Sequence, residues 1–380
     1  MSRQDLVTQA YQSFFGQAPQ LTCHAPGRVN LIGEHTDYNG GFVFPAAINF
    51  GTDIAASSRD DRTVNVRALD FDNQLVSFSL DDIQFDNTHS WSNYIRGVLI
   101  ALMKDYPQIK GADFVVSGNV PQGAGLSSSA SFEIAILKCF ASLNALPLDG
   151  IQAALKGQQA ENEFVGCSCG IMDQLISAMG KKDQAMLLDC RSLEIKYSAL
   201  PAGFNLFIVN SNVKRGLVDS EYNLRRQQCE EAAQVMELDS LRDADLTLLE
   251  ANKAKMSDVA YLRARHVITE NERTLAMCEA LNKGETAKVS ALMRASHMSM
   301  KNDFAITTSQ IDELVEIIHQ QLGEEGGVRM TGGGFGGCVV ALVPDHLLTQ
   351  VQQAVETQYQ AKTGLKESIF ICTAEQGAFA

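Results

Sequence analysis

The chain has 380 residues, 45% of them hydrophobic and 20% charged, which is the balance of a globular protein with room for two domains. A net charge of −14 argues against a general nucleic-acid surface. No apolar run approaches the ~20 residues of a membrane span.

Residues 1–16 pattern as an amphipathic helix and lack the charged start and apolar block of a signal peptide. Nine cysteines, an odd number in a long chain, fit a reducing cytosol better than a disulfide framework, so a cytoplasmic protein is expected. Residues 27–41 (GRVNLIGEHTDYNGG) then crowd hydrogen-bonding groups too densely for a core strand or an ordinary turn. Carboxylate, amide and imidazole groups at this spacing suit a molecule rich in hydroxyls, each of which donates and accepts. A sugar fits. The competing possibility is a polar surface loop in which 37–41 is only a hairpin turn.

Strands are expected at 42–48, 63–68, 76–80 and 114–120, and an amphipathic helix at 91–105. Residues 120–130 (VPQGAGLSSSA) join the fourth strand to a largely buried helix at 129–143. A helix N-terminus behind a Gly-Ser loop binds phosphate through free backbone N–H groups. The same loop could simply cap its helix. It is not a Walker loop, because no Gly-Lys-Ser/Thr follows, so Mg²⁺ would carry more of the phosphate charge.

Helical patterns at 151–165 and 171–179 flank Cys167 and Cys169, which read as small buried residues rather than a metal site. Asp173 opens the second of these helices, where an N-terminal cap would account for it. On pattern alone Glu161 reads as a solvated helix face rather than a metal ligand. Leu200-Pro-Ala-Gly203 marks a break, giving domains 1–200 and 201–380.

Beyond it come a strand at 204–210, helices near 219–236, 257–281, 285–303 and 308–322, and strands at 338–343 and 368–373 around a helix at 345–362. Residues 331–338 (TGGGFGGC) formally match a dinucleotide fingerprint through Gly332, Gly334 and Gly337, but a strand follows where a helix should. The run is expected to line the site from the second domain. The element order is that of an α+β protein with two lobes, not a regular βαβ alternation.

Taken together, segments 27–41, 121–130 and 331–338 resemble, in order and spacing, the motifs of the GHMP small-molecule kinases. GRVNLIGEHTDYNGG is similar to the signature of the galactokinase branch, and the resemblance spans essentially the whole chain. It implies a ribosomal S5-like N-terminal lobe, a ferredoxin-like C-terminal lobe and an active site between them. It also implies transfer of the γ-phosphoryl of ATP to the anomeric hydroxyl of galactose, a step of galactose catabolism by the Leloir pathway.

Under that resemblance Glu34, His35, Thr36, Asp37, Gly170, Asp173 and Tyr222 bind the sugar. Gly123, Ala124, Gly125, Leu126, Ser127, Ser128 and Ser129 wrap the ATP phosphates, and Ser129 and Glu161 hold Mg²⁺. Arg28 and Asp173 form the catalytic pair, with Asp173 orienting the acceptor hydroxyl and taking its proton late. Trp91 neighbours the adenine or belongs to the core. Galactose and ATP are the expected partners of a monomer, with no nucleic acid and no membrane. Three rivals stand beside this: a kinase of the same fold acting on another sugar such as N-acetylgalactosamine, a sugar sensor without catalysis, and a nicotinamide enzyme built on Gly332–Gly337.

Overall fold

The computed structural model describes residues 2–121, 123–167, 169–214 and 218–380. Helix α1 (Arg3–Phe15) is opened by a capping box between Ser2 and Asp5 and closed at left-handed Gly16. Strands β1 (Leu21–Asn30), β2 (Phe42–Val43), β3 (Pro45–Ser58), β4 (Thr63–Ala68) and β5 (Gln74–Ser79) follow. Then come α2 (Ser92–Met103), β6 (Ala112–Gly118), α3 (Ser128–Leu143), α4 (Gly150–Ala160), α5 (Met172–Met179), β7 (Gln184–Asp189) and β8 (Ile195–Ala199).

Five of these strands form one sheet in the order β1-β3-β6-β4-β5, and β2, β7 and β8 form a small second sheet. Strand alternation decides which helix each face meets. Ile54, Ala56, Phe114 and Val116 pack under α2 and α3. Their neighbours Ala55 and Val115 point the other way, against Val7 and Tyr11 of α1.

The second lobe contains β9 (Phe204–Asn210), α6 (Val218–Val235), α7 (Leu246–Asn252), α8 (Asp258–Lys283), α9 (Thr286–Ser299) and α10 (Ser309–Leu322). It closes with β10 (Gly327–Thr331), β11 (Cys338–Pro344), α11 (Asp345–Thr363) and β12 (Ser368–Cys372). Its antiparallel sheet runs β10-β11-β9-β12. Phe207 and Val209 of β9 face the helices, among Ala232, Val267 and Leu314. Leu206 and Ile208 face Val29, Leu31, Phe44 and Ile48 of the first lobe. β9 is therefore buried on both sides, which is why its sequence reads as an unbroken apolar run. The tail returns to the first lobe, where Gly377, Ala378 and Phe379 donate backbone hydrogen bonds to Gly180, Ser177 and Ala178.

Four strands and two helical segments depart from the sequence expectations. β1 takes in Gly27–Asn30, the part of the polar motif read as too hydrophilic for a strand; its polar side chains have buried partners that sequence does not show. β7, β8, β10 and α7 are short elements that no periodicity announced. The helix expected over 151–165 ends as α and continues as a π-helical turn, Glu161–Val165. Such turns recur at functional sites.

Candidate active site

Two cavities join into one cleft across Tyr94, Ser128, Ser129 and Val165. One, of about 510 Å³, is walled by Phe71, Phe85, Trp91 and Phe132. The other, of about 450 Å³, is lined by Arg28, Glu34, His35, Asp37, Asp173 and Tyr222, with Gly332 and Gly333 reaching in from the second lobe.

Arg28 owes its place to a β-bulge. The pairing of β1 with β3 slips register between Pro26 and Arg28, and a bulge re-aims the side chain beside it. Gly27 at the bulge lies so close to the Gly-Ser loop that a Cβ would stand 2.9 Å from the Leu126 carbonyl. The Arg28 N–H donates to that carbonyl at 3.1 Å. Its guanidinium then makes a two-pronged bond to Asp173, Nε to Oδ1 at 2.8 Å and Nη2 to Oδ2 at 2.7 Å. The remaining Nη1 donates to the Gly125 carbonyl at 2.6 Å.

Asp173 lies in the first turn of α5, but its side chain does not cap that helix; the cap position is Ile171. The carboxylate turns to Arg28 instead. It has a third donor that the sequence did not indicate. Ser127, held in left-handed backbone (φ 60°, ψ 55°), donates its hydroxyl to Asp173 Oδ2. Backbone of this kind costs ~1–3 kcal/mol and persists where surrounding contacts hold it.

Glu34 is 3% exposed. It accepts from Asn30 Nδ2 and the Gly332 N–H, and Arg329 of β10 lies 3.5 Å away. Burial raises its carboxyl pKa, against the pull of Arg329 and Arg28. His35 packs its ring between Tyr222 and Phe304, with centroids at 5.0 and 4.8 Å, and shares a 2.8 Å hydrogen bond with the Tyr38 hydroxyl. Burial lowers it to about 3, so it stays neutral. Asp37 is pushed up to about 6, chiefly by burial and then by the charge of Asp173. Gly170 sits so tightly against Asp37 that a Cβ there would fall 1.9 Å from Oδ2.

Thr36 differs from its expected role. Its hydroxyl donates inside the loop, to the carbonyls of Gly33 and Phe42, and it does not line the cavity. The cysteines are also corrected. Cys167 is exposed and Cys169 partly so, and both line the cavity. Trp91 bounds the aromatic cavity, stacked on Phe71 at 5.5 Å and donating Nε1–H to Gln74.

Of the Gly-Ser loop, Gly123, Gly125, Leu126, Ser127, Ser128 and Ser129 line the polar cavity, whereas Ala124 is fully buried in the core. Gln122 of that motif and Ser168 between the cysteines fall outside the described residues.

Glu161 is 6% exposed, not a solvated face. Its carboxyl accepts from Gln174 Nε2 at 2.8 Å and Cys169 Sγ at 3.0 Å, and the nearby Ser129 side chain favours its ionised form. The same Gln174 amide donates to Glu133 at 3.0 Å. Glu133 is fully buried and bears one oxygen without a partner. Burial raises both carboxyls. A signal for Glu133 existed: it interrupts a buried apolar helix four residues after Ser129.

The donor chemistry suits a hard divalent cation. Among the described residues no three His, Cys, Asp or Glu side chains converge into a metal cage. Magnesium, however, is usually held by one or two protein oxygens together with phosphates and water. A hydroxyl beside a buried carboxylate is such a pair.

Residues 93–181 match the GHMP kinases N terminal domain and residues 277–361 the GHMP kinases C terminal domain. A mevalonate kinase of Methanococcus jannaschii shares the fold at TM-score 0.66 and 18% identity, over 94% of this chain and 98% of that one. Residues 9–58 match the galactokinase galactose-binding signature. The structure of Lactococcus lactis galactokinase complexed with galactose superposes at TM-score 0.94 with 33% identity, over 99% of both chains. The chain thus belongs to the GHMP kinases and, within them, to the galactokinases.

Proposed function

We propose that this chain phosphorylates D-galactose at its anomeric hydroxyl, using ATP and releasing galactose 1-phosphate and ADP, in a cleft between lobes 1–200 and 201–380. The observation that carries the chemistry is the Arg28–Asp173 fork tied to the Gly125 carbonyl. It fixes the reacting pair to the loop whose free N–H groups suit phosphates. The polar cavity takes the sugar through Glu34, His35, Asp37 and Tyr222, with Gly170 leaving room for the Asp37 carboxylate. The aromatic cavity takes the adenine.

Phosphoryl transfer depends mostly on positioning and charge neutralisation. Asp173, held by Arg28 and Ser127, orients the anomeric hydroxyl and receives its proton once the P–O bond is forming. Arg28 offsets negative charge beside the transferring group. Ser129 and Glu161 are the residues that would hold Mg²⁺, which when bound neutralises phosphate charge.

The test is coupled ADP release with galactose, N-acetylgalactosamine, glucose and mevalonate. Turnover of galactose well above the other three is expected. No ADP release with galactose would remove the proposal.

A further inference from the structure

The loop that meets the sugar is held by its own lobe only in part, through Thr36, Asn30 and Asn39. Helix α8, from the second half of the chain, grips it at both ends. Glu270 is fully buried and accepts the Gly33 N–H at 3.0 Å and the Glu34 N–H at 3.4 Å. Asn271, beside it, accepts the Phe42 N–H at 2.9 Å where the loop returns to the sheet. One turn earlier, His266 Nε2 bonds the Glu34 carbonyl at 3.1 Å. A carbonyl only accepts, so Nε2 carries the proton, while Nδ1 lies 2.9 Å from the Ser299 Oγ, which also reaches Asp303 at 3.1 Å. Residues 266, 270 and 274 share one helix face, and a Cβ on Gly33 would lie 3.1 Å from Thr274 Oγ1.

A carboxylate without water is costly unless every lone pair is met. Glu270 is met from three sides: Arg273 Nε donates to Oε2 at 2.7 Å, while Ser296 Oγ of α9 at 2.6 Å and the two loop amides converge on Oε1. Burial opposes its ionisation, but Arg273, with His266, Arg329 and Ser296, holds it down at about 2. The charge is thus fixed, and two of its acceptor directions are aimed at the backbone immediately before and at Glu34. Glu34 is itself pinned from the far side by Asn30 and Gly332.

We infer that Glu270 is a positioning residue for sugar recognition, a buried anion on α8 that sets the path of residues 33–34 and with it the Glu34 carboxylate. This rests on the proposed assignment of the 33–37 loop to the sugar. It places part of the sugar affinity more than two hundred residues away in sequence, in a side chain that lines neither cavity of the cleft. Among the described residues, none of the four aromatic side chains that wall the other cavity is hydrogen-bonded to α8.

Glu270→Ala and Glu270→Gln, assayed as folded enzymes, separate this from general support of the fold. Loss of a charge-assisted acceptor raises the galactose KM about tenfold in E270A. The ATP KM stays within a factor of two. Amide hydrogen exchange over 33–42 speeds up. E270Q retains an acceptor oxygen and recovers most of the sugar affinity. Asn271→Ala, which frees the other end of the loop, is the milder variant should E270A not fold, and gives a smaller rise in galactose KM at constant ATP KM. Unchanged galactose KM in E270A, or equal losses on both substrates without faster loop exchange, overturns the inference. The exchange measurement does not depend on the substrate's identity. A wild-type enzyme inactive on galactose with fast loop exchange in E270A would therefore sink the functional reading and leave the role of Glu270 standing.

Discussion

The aromatic cavity and the polar cavity share Ser128 and Ser129, yet they hold their shapes by different means. Phe71, Phe85, Trp91 and Phe132 form walls whose contacts are non-directional, and ring stacking tolerates small shifts. In the polar cavity Glu34 and Asp173 sit among partners fixed to within hydrogen-bond geometry, several of them buried. Moving one there leaves a charge or a donor unmatched, at ~1–3 kcal/mol for an orphaned buried group. The difference teaches where tolerance lies. Changes on the aromatic side should be graded, and changes on the polar side abrupt.

The sharpest way to break that contrast is Asp173→Asn. Loss of proton acceptance should lower kcat by ~10²–10⁴, while a non-hydrolysable ATP analogue binds nearly as before. A variant keeping more than a tenth of wild-type kcat would show that Asp173 is not the proton acceptor. Next is Arg28→Lys, which keeps the charge but loses the planar fork to Asp173 and Gly125; kcat should fall by about 10². Normal turnover in a folded R28K enzyme would refute the need for the two-pronged geometry.

Gly170→Ala tests crowding against Asp37. It should raise the galactose KM about tenfold at unchanged ATP KM. An unchanged galactose KM in G170A would show that Asp37 can retreat without cost.

Asp37 also predicts a pH dependence. Its folded-state pKa near 6 lies above the ordinary carboxylate range. As pH falls through about 6 it gains a proton and loses acceptor capacity, so the galactose KM should rise. Between about 4 and 6 the folded state holds a proton that the unfolded state has released. Stability is therefore lost as pH rises through that window. Asp37→Asn should raise Tm at neutral pH, by less than about 3 kcal/mol of unfolding free energy, and abolish this part of the KM profile. A D37N Tm unchanged at pH 7 would contradict the raised pKa.

The smallest effect is expected at Trp91→Leu. The ATP KM should rise a few-fold, in line with ~0.5–1.5 kcal/mol for an aromatic pair, with galactose KM unaltered. A tenfold or larger change in galactose KM would erase the distinction between the two cavities.

Much of the site was legible before any fold. The clustering of Arg28, Glu34, His35 and Asp37 in fifteen residues, the serine run after Gly125 and the glycine-dense turn after Thr331 all depend on local composition, and all three segments contribute residues to the polar cavity. Most helices and the apolar strands were also readable, because 3.6-residue and two-residue periods record which face is buried. β1 was not. Its His, Pro, Gly, Arg and Asn look like loop residues until their partners are known.

What sequence alone determined, then, was local: which segments carry polar chemistry, where helices start, and that α and β elements mix without regular alternation. Tertiary structure decided the pairings. Whether Asp173 caps its helix or meets Arg28, whether Glu161 is solvated or buried beside Glu133, and whether Thr36 faces outward or closes its own loop are questions about residues far apart in the chain. The same holds for the grip of α8 on residues 33–42. A carboxylate reads the same in sequence wherever it lies; its charge, its direction and its role come from the donors that folding brings within 3 Å, and those come from other elements.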